Sequence, residues 1–304
     1  MIKTIFKIML IGVLAAVALI ACKPPAPNEL SGRLVFERKV DGNADVYVMA
    51  VDGSGLTRLT DSPGWDGEPS WSPDGSQIVF ASDRAGGPAI YVMNADGSNQ
   101  QALTDPSTAS LTPSWSPDGQ RIAYASTGPN APGEQVVDAG FNIWIMNADG
   151  SNPQRLAGDP AGQSLYPSWG PKSDRLAYAL QTDEKGILLI QMLQDGASPR
   201  SFSDTVEGRP NAPDWSQGSN HIAFALEQQG MVEIWQTKPD GSNPVRLGQA
   251  GANGGEPAWS PDGKHIVLVS DQDGVPSLMI IDADGNNVRR LTTDGAAYAH
   301  PDWK

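Results

Sequence analysis

Glu68-Pro69-Ser70-Trp71-Ser72-Pro73-Asp74-Gly75 leads into Ile78-Val79-Phe80-Ala81-Ser82-Asp83-Arg84, then Ile90-Tyr91-Val92-Met93-Asn94-Ala95-Asp96-Gly97 and Ala102-Leu103-Thr104. The same unit returns along the chain. Its second copy is Pro113-Ser114-Trp115-Ser116-Pro117-Asp118-Gly119, Ile122-Ala123-Tyr124-Ala125-Ser126, Ile143-Trp144-Ile145-Met146-Asn147-Ala148-Asp149-Gly150 and Arg155-Leu156, and further copies open at Pro167, Pro213 and Pro257. The marker tryptophans Trp71, Trp115, Trp169, Trp215, Trp259 and Trp303 stand 44, 54, 46, 44 and 44 residues apart. A fixed period of that size marks stacked repeats, each unable to bury its own apolar face alone.

Within each unit, short runs of β-branched and aromatic residues alternate with small ones and are bounded by Pro-Asp-Gly and Ala-Asp-Gly. Such runs read as four short strands joined by tight reversals, type I′ hairpins at the Asp-Gly pairs. A four-stranded antiparallel sheet at this period is a propeller blade. The sixth unit stops after its tryptophan, in His300-Pro301-Asp302-Trp303-Lys304, whereas Arg33-Leu34-Val35-Phe36-Glu37, Asp45-Val46-Tyr47-Val48-Met49 and Leu56-Thr57-Arg58-Leu59-Thr60 lack a first strand. The two ends therefore complete one blade and close the ring, which removes open strand edges. The expectation is an all-β, six-bladed propeller over 32–304, with blades at 32–60 plus 299–304, 61–104, 105–158, 159–204, 205–250 and 251–293.

The Pro-x-Trp-Ser-Pro-Asp-Gly pattern resembles the propeller repeat of the TolB family over residues 32–304. Two copies depart from it, with Gly170-Pro171-Lys172-Ser173-Asp174 and Ser216-Gln217-Gly218-Ser219-Asn220 in place of Ser-Pro-Asp-Gly. The resemblance implies a non-catalytic envelope protein that binds a protein or peptidoglycan-associated partner. TolB itself carries an α/β domain before its propeller; here a short tether stands in that place.

Lys3 and Lys7 precede an apolar run from Ile8 to Ala21, the layout of an export signal at 1–21. It ends Leu19-Ile20-Ala21-Cys22, which resembles the lipobox of bacterial lipoproteins, so Cys22 is the expected lipidation site. Cys22 is the single cysteine of the chain, which leaves no thiol for disulfides, catalysis or a cysteine metal site. Residues 22–31 include Pro24, Pro25 and Pro27 and read as an extended spacer. With 35 acidic against 21 basic residues and a net charge of −14, nucleic acid is excluded as a partner, and membrane contact rests on the lipid alone. The expected place is the periplasmic face of the outer membrane in a two-membrane organism, otherwise the outer face of the cytoplasmic membrane, with the chain acting as a monomer.

Function should lie where the repeat varies. The position before each Pro-x-Trp holds Glu68, Thr112, Tyr166, Ala212, Glu256 and His300, which propeller geometry places around one mouth of the central channel. Loops opening on that face add Trp65, Asp66, Arg84, Arg209 and Tyr298 to the rim, together with the long insertion from Thr127 to Asn142. Other readings compete at several of these residues. The tryptophans recur too regularly for a ligand cage and read as packing between blades; the Asp-Gly pairs lack calcium-loop spacing; His221 and His265 stand where other copies carry Arg33, Gln77, Arg121 and Arg175. No hydrolase elbow is present, and no cofactor is called for. Glu68, Glu256 and His300 could instead hold a metal ion, and an oligosaccharide-binding module, or a lyase, is the rival class to a protein-binding platform.

Overall fold

The computed structural model describes residues 30–128, 140–158, 162–204, 206–251 and 254–304. The expected signal, Cys22 and most of the tether fall outside the described residues, as does 129–139 of the long insertion. The body from Ser31 to Lys304 is built of six four-stranded antiparallel sheets.

Blade I joins the two ends of the body: β1 (Arg33–Val40), β2 (Asn43–Ala50) and β3 (Thr57–Arg58) are completed by β24 (Ala297–Trp303) as innermost strand. Blade II is β4 (Asp66–Trp71), β5 (Gln77–Ser82), β6 (Ala89–Asn94) and β7 (Gln101–Ala102). Blade III follows with β8 (Ser110–Trp115), β9 (Arg121–Ser126), β10 (Asn142–Asn147) and β11 (Gln154–Ala157), and blade IV with β12 (Gly162–Trp169), β13 (Arg175–Thr182), β14 (Gly186–Leu193) and β15 (Arg200–Ser201). Blade V is β16 (Arg209–Trp215), β17 (Ile222–Gln228), β18 (Met231–Thr237) and β19 (Val245–Gly251); blade VI is β20 (Gly255–Trp259), β21 (His265–Ser270), β22 (Ser277–Asp282) and β23 (Arg289–Arg290). β24 pairs antiparallel with β1, Leu34 opposite Trp303 and Glu37 opposite Ala299, so the ring is shut by strand pairing.

The second strands are apolar on both faces because each blade is covered by a neighbour on either side; β5, for instance, is buried from Ile78 to Ser82. Side chains of adjacent blades fill the gap between them. Val35, Val46 and Val48 of blade I meet Trp71, Ile78, Phe80, Tyr91 and Met93 of blade II, and Ala123, Ile143 and Ile145 of blade III meet Trp169, Leu176 and Tyr178 of blade IV. All six marker tryptophans are buried in such seams. In three blades the polar residue that begins the second strand has a job here: the Arg33 guanidinium lies 4.7 Å from the Trp71 ring, that of Arg121 lies 4.8 Å from Trp169, and His265 stacks on Trp303 at 6.2 Å. Each caps the tryptophan of the following blade.

The two divergent first turns keep the closing bond of the regular ones. Gly170 N donates to Arg175 O at 2.9 Å and Ser216 N to His221 O at 3.0 Å, as Ser72 N does to Gln77 O at 2.9 Å. The Asp-Gly hairpins correct the expected turn type. Within the turn from Asn94 to Ser98 only the glycine has a positive φ, 85° at Gly97, while Gly97 N donates to Asn94 O and Asn94 N to Ser98 O, both at 2.9 Å. That is a type I turn followed by a left-handed glycine rather than type I′. The aspartate explains the choice: Asp96 Oδ1 accepts from the Ser98 hydroxyl and its N–H, which holds the turn and keeps the carboxyl below its usual range.

Candidate functional site

Every innermost strand slips register once against its partner, as between Gly67 and Ser70 on β4. The residue in each bulge is left-handed: φ is 50° at Glu68, 48° at Thr112, 55° at Tyr166, 45° at Ala212, 50° at Glu256 and 48° at His300. The proline that follows disfavours the ordinary helical region at these positions, and the bulge takes up the extra residue. All six line one central cavity of about 500 Å³. The positions singled out by their variability thus share one backbone conformation and one space.

Two belts of hydrogen bonds tie the inner strands together across blades. In the first, Glu68 Oε2 accepts from Thr112 N at 2.7 Å, Thr112 Oγ1 from Tyr166 N at 3.2 Å, and Glu256 Oε2 from His300 N at 2.7 Å. In the second, two residues further along, Ser168 Oγ accepts from Trp215 N at 2.8 Å, Asp214 Oδ2 from Trp259 N at 2.8 Å and Asp302 Oδ2 from Trp71 N at 2.6 Å. A side chain on one blade satisfies a backbone donor that the bulge has freed on the next.

Burial pushes the Asp214 carboxyl up to about 7, with the nearby Asp302 adding to the shift and the N–H of Trp259 opposing it. A folded value above the unfolded one means the protonated form is favoured in the fold. The stability this contributes is complete below about pH 4 and is lost as pH rises toward 7. Asp214→Asn, which keeps an acceptor for Trp259 N, should therefore be more stable than wild type at pH 8 by about 2–4 kcal/mol and no more stable at pH 4. Urea unfolding at the two pH values measures this; an equal difference at both would refute the buried-proton account.

Around the mouth, the charged side chains gather on one side. His300 Nδ1 lies 3.3 Å from Glu37 Oε2, and its Nε2 lies 3.2 Å from Glu256 Oε1 and 4.0 Å from Glu68 Oε1. Burial alone would lower the imidazole; Glu256, then the Glu37 hydrogen bond and the Glu68 charge, raise it to about 10, so it is a cation at neutral pH. Burial raises the Glu68 carboxyl above its usual range, against the pull of His300. Tyr166, also raised by burial and by the charges of Glu68 and Glu256, faces the same space with Thr112 and Ala212.

Glu37 escaped the reading of the sequence. Its equivalents are Ala81, Ala125, Ala179, Ala225 and Val269, all buried, so an acid stands where every other blade has a small apolar residue. That contrast was the available signal. The chain makes room for it: a Cβ on Gly67 would come within 2.1 Å of Glu37 Oε2, and Trp65 Nε1 donates to the same oxygen at 3.0 Å.

The other rim residues do different work. Asp66 is fully buried, its Oδ1 2.8 Å from the Arg84 guanidinium and its Oδ2 accepting from Ser62 at 2.8 Å, so the pair stiffens the blade II loops. Tyr298 is 3 % exposed; its hydroxyl meets Asp294 and Arg38, and its ring packs on Phe36 at 5.4 Å. Neither offers a surface to a partner. Arg209 is exposed and lies 3.5 Å from Glu227. Among the described residues no group of three or more His, Cys, Asp or Glu is arranged to hold a metal ion.

The profile of the TolB beta propeller domain matches residues 21–127 and 130–304. This chain belongs to the TolB β-propeller family. The Tol-Pal system protein TolB of Bordetella pertussis is 45% identical over 42 residues, which is 14% of this chain and 10% of that protein, so the chain matches about a tenth of its curated relative's length. The crystal structure of TolB from Acinetobacter baumannii superposes with a TM-score of 0.77 at 18% identity, covering 91% of this chain and 67% of that one. An oligogalacturonate lyase from Vibrio parahaemolyticus superposes with a TM-score of 0.57 at 13% identity over 86% of this chain and 74% of that one. At these identities the likeness is one of fold.

Proposed function

We propose that this TolB-family propeller is a non-catalytic, lipid-anchored platform of the cell envelope that receives a protein or peptidoglycan-associated partner at the channel mouth. The observation that carries the reading is the convergence of six chemically different side chains, held in one strained backbone conformation, on a cavity of about 500 Å³. Backbone strain of this kind gathers at functional sites. The curated relative is named as a member of the Tol-Pal system, which favours an envelope partner. A non-catalytic role is supported by the state of His300: both ring nitrogens face carboxylates, which commits them to ion pairs rather than to moving a substrate proton.

The test is affinity capture from crosslinked envelopes. The combined variant Glu68→Ala, Tyr166→Ala, Glu256→Ala and His300→Ala should recover the partner at least ten-fold less than wild type, while Cys22→Ala should shift the protein from the membrane to the soluble fraction. Equal recovery of a protein by both forms would place the binding face elsewhere. Recovery of an oligosaccharide in place of a protein would turn the reading to the rival class.

A further inference from the structure

We infer that the channel mouth is a receptor for a single lysine side chain of the partner, seated between Glu68 and Glu256 beside His300. The inference rests on the platform reading and narrows it to one chemistry. Glu37, Glu68 and Glu256 face one imidazolium, so the cluster holds more negative charge than it neutralises. Among the described residues the one lysine lining the cavity is Lys304, whose ammonium is taken by Pro73 O in the turn that follows Trp71.

The excess is not a requirement of the fold. Five blades close with alanine or valine at the Glu37 position, and blade I alone imports a charge there, with Gly67 cleared to admit it. Burying a carboxylate is costly unless it is paired, and an apolar residue would fold at least as well. Glu68 and Glu256 line the cavity with side-chain exposures of 11 % and 30 %, and Glu37 stands on the other side of the His300 ring from Glu256.

The shape of the lining selects among cations. At the mouth, Glu68 of blade II and Glu256 of blade VI flank His300 of blade I, while Thr112, Tyr166 and Ala212 of blades III, IV and V form the other side. A lysine combines a compact ammonium with three donors and an apolar four-carbon stem, and so matches both halves. Its ammonium meets Glu68 Oε1 and Glu256 Oε1, while the stem lies along Tyr166 and Ala212.

The test uses the folded protein and three capped tripeptides: acetyl-Gly-Lys-Gly-amide, the same peptide with norleucine, which keeps the stem and removes the charge, and the same peptide with arginine. Binding is followed by NMR at the Trp65 indole N–H, which donates to Glu37. The lysine peptide should give a saturable shift, with norleucine and arginine at least ten-fold weaker. Glu256→Gln should weaken the lysine peptide by a similar factor, and Ala212→Lys, which supplies an ammonium from within, should block it and raise the melting temperature.

Equal binding of norleucine, or no saturable shift with lysine in wild type, overturns the inference. So does a calcium-induced shift at concentrations where the lysine peptide gives none, because the mouth is then an ion site. The lysine inference can fail while the platform reading stands. If Glu256→Gln captures the envelope partner as well as wild type while the four-alanine variant does not, the mouth binds its partner without a lysine; if the four-alanine variant also captures it equally, the platform reading itself fails.

Discussion

Removing the last six residues, Ala299 to Lys304, should abolish cooperative folding. β24 is the innermost strand of blade I and pairs with β1, so the deletion exposes the β1 edge along the channel. It also removes Trp303 from its seam, the Asp302 carboxylate that accepts Trp71 N, and the His300 cation that faces Glu37, Glu68 and Glu256. One buried tryptophan alone accounts for about 3–5 kcal/mol when truncated, and the net stability of a domain is about 5–15 kcal/mol. The expected product has no single thermal transition and elutes as aggregates, because an open edge strand recruits further chains. Circular dichroism melts and size exclusion measure this. A monomer melting within a few degrees of wild type would end the closed-ring account.

The second large effect is expected from one side chain. His300→Ala leaves Glu37, Glu68 and Glu256 facing one another without their cation, and removing one partner of a buried charge cluster costs about 3–5 kcal/mol. The pH dependence has a definite sign. His300 is raised from 6.5 to about 10, so its contribution is complete below about pH 6.5 and is lost as pH rises through 10. Wild type should therefore lose stability between pH 7 and 10, and the variant should lose less over that interval. Adding Glu256→Gln to His300→Ala should restore part of the loss, since it removes one of the repelling charges. A parallel pH dependence in wild type and variant would show that the cation at 300 does not hold the seam.

These effects bear on how much was legible beforehand. The fold was, because the tryptophans and prolines recur at a period that only a ring of blades satisfies, and the truncated last unit named its own partner at the other end. The six mouth residues were legible for the opposite reason: they vary inside a frame that does not. Glu37 was hidden because its meaning depends on Gly67 and on His300, which is 263 residues away. Asp66 and Tyr298 were misplaced on an open rim for the same reason, since their partners Arg84 and Arg38 cannot be assigned until the loops are folded. The hairpins misled through Asp-Gly, which serves two turn types and is decided by the aspartate's own hydrogen bonds.

The bulges at the mouth carry a consequence for how such proteins change. Glutamate, threonine, tyrosine, alanine and histidine all adopt the same left-handed geometry there, with φ between 45° and 55°, so the proline-locked main chain and not the side chain dictates the shape. Each position then works as an exchangeable socket. Affinity for a new guest could evolve one codon at a time, with the blades left as they are.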